Sequence, residues 1–536
     1  MRGADLVAQS LSRAGVKVIF SLSGNQIMPI YDACIDAGIR IIHTRHEGAA
    51  VFMAEAYAQL TGEVAIAMVT AGAGLGNAIG PLITARASES PVVLLSGDSP
   101  LAGDEQGTFQ EMDQIGVSKP LTKLSIRPKR AQNLGFEIAL AMRVAASSRP
   151  GPVHIALPFD LLNEEVIEPV IPGKQDFEPE STSPATTCLE TILDAFASAE
   201  RPLILTGPLL NPSRARGLLE KLADALDAPV VAMESPRGLK DPCLGSFARV
   251  VSKADVILSL GKNIDFTTGF GRPPTMASEA KCLVVDPDTD VLERARRAFG
   301  KRLILAQCAD ADLTAKMLAE AGNSQGKRNN WRNEMAAALA TRSPEPAVSG
   351  DGPMRPAVLC AAVQRLLDKA KDPILIIDGG EFGQWAQACV SAKTRVINGV
   401  SGCIGGGIAY AFAAKIAQPE ATVVVLMGDG SAGFHFSEFE TAHRYGTDFI
   451  AVIGHDSRWN AEYQIQQREY GIDRINETEL SPTRYDLAAA GFGCHGEHIC
   501  DPAELDAALK RAIESGLPSC LVGIIEGLPA PSGSGH

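Results

Sequence analysis

A chain of 536 residues, 46% hydrophobic and 21% charged, has material for about three or four domains and a large core. Its formal net charge of −14 excludes nucleic-acid binding through a basic surface. Eleven scattered cysteines with no Cys-x-x-Cys pair argue against a zinc site or a disulfide framework and point to a reducing, cytoplasmic setting.

The N-terminal stretch MRGADLVAQSLSRAGV has an amphipathic helix pattern and no signal-peptide core, and no apolar run is long enough to cross a bilayer. Helix and strand patterns then alternate: a helix over 6–14, a strand over 18–22, the turn Ser23–Gly24–Asn25, a helix over 27–37 and a short strand at Ile41 and Ile42. Arg45–His46–Glu47–Gly48 leads into a long helix over 49–60. Strands follow over 64–70 and 92–96, and the segment 151–158 closes the unit. Residues 166–187 are rich in Pro and Glu and read as a linker. A second unit carries strands over 202–206, 229–233, 256–260 and 281–286. Residues 322–352, with Pro344 and Pro346, read as a second connection with room for a helix. The third unit has strands over 374–377, 423–427 and 449–453, with Phe436, Phe439 and His443 at helical spacing. The tail LPAPSGSGH reads as disordered. The expected architecture is α/β: three doubly wound parallel-sheet domains over 1–165, 188–325 and 355–530.

Gly428–Asp429–Gly430 follows one buried strand and Asp456 follows the next. Alone, Gly-Asp-Gly is most often a plain turn. Ligands of parallel sheets bind at the carboxyl ends of the strands. Two carboxylates meeting there suit a hard divalent cation that in turn holds a phosphate. Glu47, by itself, reads as a helix-start carboxylate facing the dipole.

The 27 positions from Asp429 to Asp456 give a stretch that resembles the thiamine diphosphate signature of the acetolactate synthase and pyruvate decarboxylase superfamily. The family pattern ends in Asn-Asn; here the pair is His455–Asp456, which keeps an oxygen ligand. The resemblance covers nearly the whole chain and implies pyrimidine, central and diphosphate domains in that order. It implies Mg²⁺ held by the Asp429 and Asp456 side chains and the Arg458 carbonyl, with His455 beside the metal rather than on it. It implies that Gly428, Gly430 and Ser431 line the diphosphate, with Asp378–Gly379–Gly380–Glu381–Phe382 as a loop covering it. Ile404 would wedge the cofactor into its bent form, and the Gly402 carbonyl would accept from its amino group. Glu47 would hydrogen-bond N1′ of the aminopyrimidine.

Gly107–Thr108–Phe109–Gln110–Glu111 resembles the segment in which acetolactate synthases turn a Phe-Gln pair to the reacting carbon, so Phe109 and Gln110 are candidate catalytic residues. The first turn, Ser23–Gly24–Asn25–Gln26, departs from the Pro-Gly-Gly of those enzymes and alters a wall of the pocket. Trp459–Asn460–Ala461–Glu462–Tyr463 reads as either pocket wall or core. No flavin-binding sequence is found in the central unit, so an empty, structural domain is expected there. The implied activity is cleavage or formation of a carbon–carbon bond beside a carbonyl, on a 2-oxo acid or acyloin. The alternatives are a 2-hydroxyacyl-CoA lyase, an oxalyl-CoA decarboxylase-type or a benzaldehyde lyase-like enzyme; intact Glu47, Asp429 and Asp456 argue against a non-catalytic relative. The partners implied are a small-molecule substrate and further copies of the chain, as a homodimer or homotetramer with active sites at the subunit interface.

Overall fold

The computed structural model describes residues 1–322, 326–341, 352–398 and 400–531. Three parallel sheets carry the fold. The first runs in space Arg40–His43, Val18–Ser21, Ala65–Val69, Val92–Asp98, Val153–Pro158, Leu124–Ile126. The second runs Leu303–Gln307, Lys281–Val285, Val256–Leu260, Pro202–Thr206, Val230–Ala232. The third runs Thr394–Ile397, Ile374–Ile377, Val423–Gly428, Ile450–His455, Ser519–Ile524, His495–Ile499. The central strands are continuous apolar runs buried on both faces because helices cover both sides. This is the doubly wound α/β architecture that the alternating pattern predicts.

The first and third sheets share one strand order: second, first, third, fourth, sixth, fifth. In each, the chain winds away in opposite directions from the gap between its first and third strands. That reversal opens a crevice at the carboxyl ends, and it sets where ligands bind.

The chain divides into two compact units. One comprises Met1–Glu180, Ile408–Pro419 and Phe434–Asp448; the other comprises Ser181–Gly407, Glu420–Gly433 and the chain from Phe449 onward. In the second unit, Arg395 of the third sheet pairs with Glu234, which follows the second sheet's edge strand, and Ser213 Oγ accepts from the Arg395 amide at 2.9 Å. The connection after 322 does contain a helix, Asn329–Ala340; Pro344 and Pro346 lie outside the described residues. None of the eleven cysteines is in a disulfide. Among the described residues no helix is long and apolar enough to cross a membrane.

Candidate active site

The residues singled out above fall into two sets, one in each unit. In the first unit, Glu47 opens the helix Glu47–Thr61, two residues earlier than the hydrophobic periodicity marks. His46 caps that helix, its Nδ1 accepting from the Gly48 amide at 2.9 Å. The turn is braced by Glu438, which has no exposed surface and accepts from the Arg45 amide at 3.0 Å and from Thr441 Oγ1 at 2.6 Å. Burial pushes Glu438 up to about 7, against the pull of those hydrogen bonds. Glu47 is 9% exposed. Its Oε2 accepts from Asn77 Nδ2 at 3.0 Å, and its Oε1 accepts no bond among the described residues. The carboxylate is therefore fixed by one oxygen and offers the other.

The reversal gap of this sheet carries the turn after Val18–Ser21, with Gln26, and the turn after Ala65–Val69, with Thr70 and Gly72. Gln110 reaches the same place from the connection that follows Val92–Asp98. It has φ +60, a conformation costly for a side-chain-bearing residue and held only where the surroundings demand it. Gly72, at φ +59, lies against it: a Cβ there would stand 2.9 Å from Gln110 Cβ. The connection is pinned at several points. Arg127 donates to both Asp104 oxygens at 2.7 and 2.8 Å and also pairs with Asp98. Glu111 accepts from the Glu105 and Thr108 amides at 2.6 and 2.9 Å. Phe109 stands apart from this network and is 75% exposed.

In the second unit the reversal gap lies between Ile374–Ile377 and Val423–Gly428. Asp378 ends the first of these strands. Fully buried, it accepts from the amides of Gly379 at 2.6 Å, Gly405 at 3.0 Å and Gly407 at 2.8 Å. Asn398 Nδ2 donates to the Cys403 carbonyl at 2.7 Å. These two side chains hold the loop from exposed Gly402 to Gly407 so that half-buried Ile404 lies over Gly379, whose Cβ, if present, would meet Ile404 Cγ2 at 2.5 Å.

Asp429 begins the short helix Asp429–Ala432 directly after Val423–Gly428, and Asp456 follows Ile450–His455 on the neighbouring strand. Burial and then the Asp456 carboxylate push Asp429 up to about 7; burial pushes Asp456 up to about 6, against the Arg458 charge and amide. Tyr485 Oη donates to the Asp429 carbonyl at 2.9 Å. His455, 3% exposed, lies 3.7 Å from Asp429 Oδ2 and bonds Ser457 Oγ at 3.1 Å. Burial, and after it His498, hold its pKa down, so it adds no positive charge. A buried and a half-buried carboxylate on adjacent strand ends, the second raising the proton affinity of the first, are a donor set for a hard divalent cation. Among the described residues no three His, Cys, Asp or Glu side chains gather as a metal cluster. The remaining ligands would be backbone and phosphate oxygens, which is how Mg²⁺ is usually bound beside a phosphate.

The other predicted residues are placed as follows. Gly430 lets the Trp459 ring close in; a Cβ there would be 2.7 Å from it. Ser431 Oγ lies 3.5 Å from the Gly379 carbonyl. The Arg458 guanidinium stacks 4.2 Å from the Tyr463 ring, which is itself buried. Glu381 and Phe382 do not lie in a covering loop: the helix Gly380–Cys389 starts at once, and both fall in its first turn. Phe382 is a core residue, 4% exposed, its ring so close to Gly454 that a Cβ there would stand 2.5 Å away. Glu381 Oε1 accepts from the Ala530 amide at 2.6 Å. In the central unit, the loop after Val256–Leu260 is filled by its own side chains, with buried Lys262 donating to Thr267 Oγ1 at 2.7 Å.

Three family descriptions match the chain in order: "Thiamine pyrophosphate enzyme, N-terminal TPP binding domain" over residues 1–117, "Thiamine pyrophosphate enzyme, central domain" over 189–314, and "Thiamine pyrophosphate enzyme, C-terminal TPP binding domain" over 378–522. The chain is 32% identical to an acetolactate synthase large subunit of Mycobacterium tuberculosis, over 97% of this chain and 95% of that one. It is 30% identical to a 2-hydroxyacyl-CoA lyase 2 of Bos taurus, over 92% and 84%. It is 30% identical to a probable acetolactate synthase large subunit of Methanocaldococcus jannaschii, over 98% and 92%.

Proposed function

This chain belongs to the thiamine pyrophosphate enzymes, and we propose that it is a thiamine diphosphate- and Mg²⁺-dependent carbon–carbon ligase or lyase acting on a 2-oxo acid, in the manner of the acetolactate synthases. The observation that carries this reading is a pair of carboxylates on adjacent strand ends of the third sheet, buried Asp429 beside the reversal gap and half-buried Asp456 on the next strand. Asp429, Asp456 and the Arg458 carbonyl would hold the cation and, through it, the diphosphate. Gly428, Gly430 and Ser431 would let that group approach the backbone. Ile404 and the Gly402 carbonyl would set the cofactor's bend, with Asp378 and Asn398 fixing their loop. When bound, the cofactor supplies an electron sink beside the substrate carbonyl. Glu47 would hold the aminopyrimidine N1′ and handle its proton through Oε1, the oxygen Asn77 leaves open. Gln110 would orient the substrate.

The relative named as a 2-hydroxyacyl-CoA lyase favours a second reading, in which an acyl-CoA is the substrate. Purified protein supplied with thiamine diphosphate and Mg²⁺ separates the two. The first reading expects CO₂ and a carboligated product from 2-oxo acids. Cleavage confined to 2-hydroxyacyl-CoA would replace it with the second.

Glu47 and the Asp429–Asp456 pair belong to different compact units, and we place the working site between two copies of the chain. The smallest active species is then a two-fold dimer. Inactive Glu47→Ala chains mixed with inactive Asp429→Ala chains, under subunit exchange, should regain about a quarter of wild-type activity. Half the randomly paired dimers are mixed, and each holds one intact site. Verified exchange with no return of activity would place each site within one chain.

A further inference from the structure

Gln26 occupies the turn where the sequence departs from Pro-Gly-Gly, and the structure gives it a defined set of neighbours. It is 4% exposed. Its Cβ lies against Gly97, where a Cβ would stand 2.6 Å away. Thr70 Oγ1 donates to Gln26 Oε1 at 2.6 Å, and Gln26 Nε2 donates to Gln110 Oε1 at 2.9 Å. The three polar groups form a chain of one polarity. Its last member, Gln110, has its acceptor occupied, while its Nε2 has no partner among the described residues. An amide held this way keeps its oxygen turned toward Gln26 and offers its Nε2 hydrogens outward.

We propose that Gln26 is a positioning residue that turns Gln110 into a hydrogen-bond donor toward an oxygen of the substrate, a carbonyl or carboxylate of an oxo acid. This rests on the reading of Gln110 as the residue that orients the substrate. The chemistry selects an acceptor-bearing ligand and disfavours one that must donate at this point. Gln26 itself is too buried to do the recognition; it acts by fixing which end of the Gln110 amide faces out.

Two substitutions of similar size test this in the full-length holoenzyme. Gln26→Met removes both hydrogen bonds. Gln26→Glu can only accept; it keeps the Thr70 bond and draws Gln110 Nε2 inward, reversing the polarity. Both are expected to lower kcat/KM for the preferred oxo acid about tenfold or more, the cost of a hydrogen bond to a charged acceptor. Both should shift the ratio of decarboxylation to ligation, as Gln110→Ala is also expected to, with thiamine diphosphate affinity by calorimetry within about twofold of wild type. The doubly substituted Gln26→Met, Gln110→Ala enzyme should be no worse than Gln110→Ala alone, because one residue acts through the other. Wild-type kcat/KM and product ratio in both Gln26 variants, beside an altered Gln110→Ala, would overturn the role of Gln26 and leave that of Gln110 standing. Effects that multiply in the double variant would also overturn it. A silent Gln110→Ala would remove the reading of Gln110, and the proposal with it.

Discussion

Glu47→Gln is expected to keep thiamine diphosphate bound and to slow proton exchange at C2 of the bound cofactor, and with it turnover, by about 10²- to 10⁴-fold, the usual loss when a positioned acid–base group is removed. The geometry makes the substitution a clean one. Asn77 Nδ2 donates to Glu47 Oε2 at 3.0 Å, and a glutamine carbonyl can accept that bond unchanged. The helix start, the His46 cap and the Glu438 brace do not involve the Glu47 side chain. What changes is the open position: an amide nitrogen replaces Oε1 and cannot exchange a proton with a ring nitrogen. Exchange followed by NMR after acid quench reads this directly. A wild-type rate would reduce Glu47 to a helix-start residue.

Asp429→Ala is expected to abolish metal-dependent cofactor binding. Among the described residues the site provides two carboxylate side chains, while Arg458 stacks on Tyr463 and burial holds the His455 pKa down. Removing one carboxylate would leave the cation a single charged protein ligand. Asp456→Asn is the contrasting case. It keeps an oxygen ligand, removes one of two mutually repelling charges, and should be tolerated. Ligand-induced stabilisation separates the two variants. A ligand at a hundred times its dissociation constant adds about 2.7 kcal/mol to the native state. That increment should appear in wild type and Asp456→Asn and be absent in Asp429→Ala.

The central strands of the three sheets were legible because they are short apolar runs ending in turns, as at Val423–Gly428, whereas Leu124–Ile126, Leu303–Gln307, Thr394–Ile397, His495–Ile499 and Ser519–Ile524 were not foreseen. Asp429 and Asp456 stand directly after such runs, whereas Glu47, which opens a helix, stood out only through the family resemblance. The groups that position them could not be placed. Asn77 is 30 residues from Glu47, Gln26 is 84 from Gln110, and the Arg45 amide meets Glu438 across 393 residues. Amides and buried acids follow no period, so only the folded chain brings these pairs together. Asp378 sat inside a stretch read as a cover for the diphosphate, and its work is instead to tie the Gly405–Gly407 backbone. Phe382 was placed in that covering loop by the family resemblance, yet Gly380 begins a helix that turns the ring inward. The tail was read as disordered from its Pro, Ser and Gly content. The Leu528 carbonyl nevertheless accepts from Trp385 Nε1 at 3.2 Å and Asn460 Nδ2 at 3.3 Å, while Ser532–His536 lie outside the described residues.

The most direct test of the account is calorimetric titration of the cofactor-free protein with thiamine diphosphate in the presence of Mg²⁺. Saturable binding at one site per chain is predicted for wild type, lost when the cation is chelated and lost in Asp429→Ala. Undiminished affinity in Asp429→Ala, or binding indifferent to chelation, would contradict the assignment of Asp429 and Asp456 as the groups that hold the cofactor.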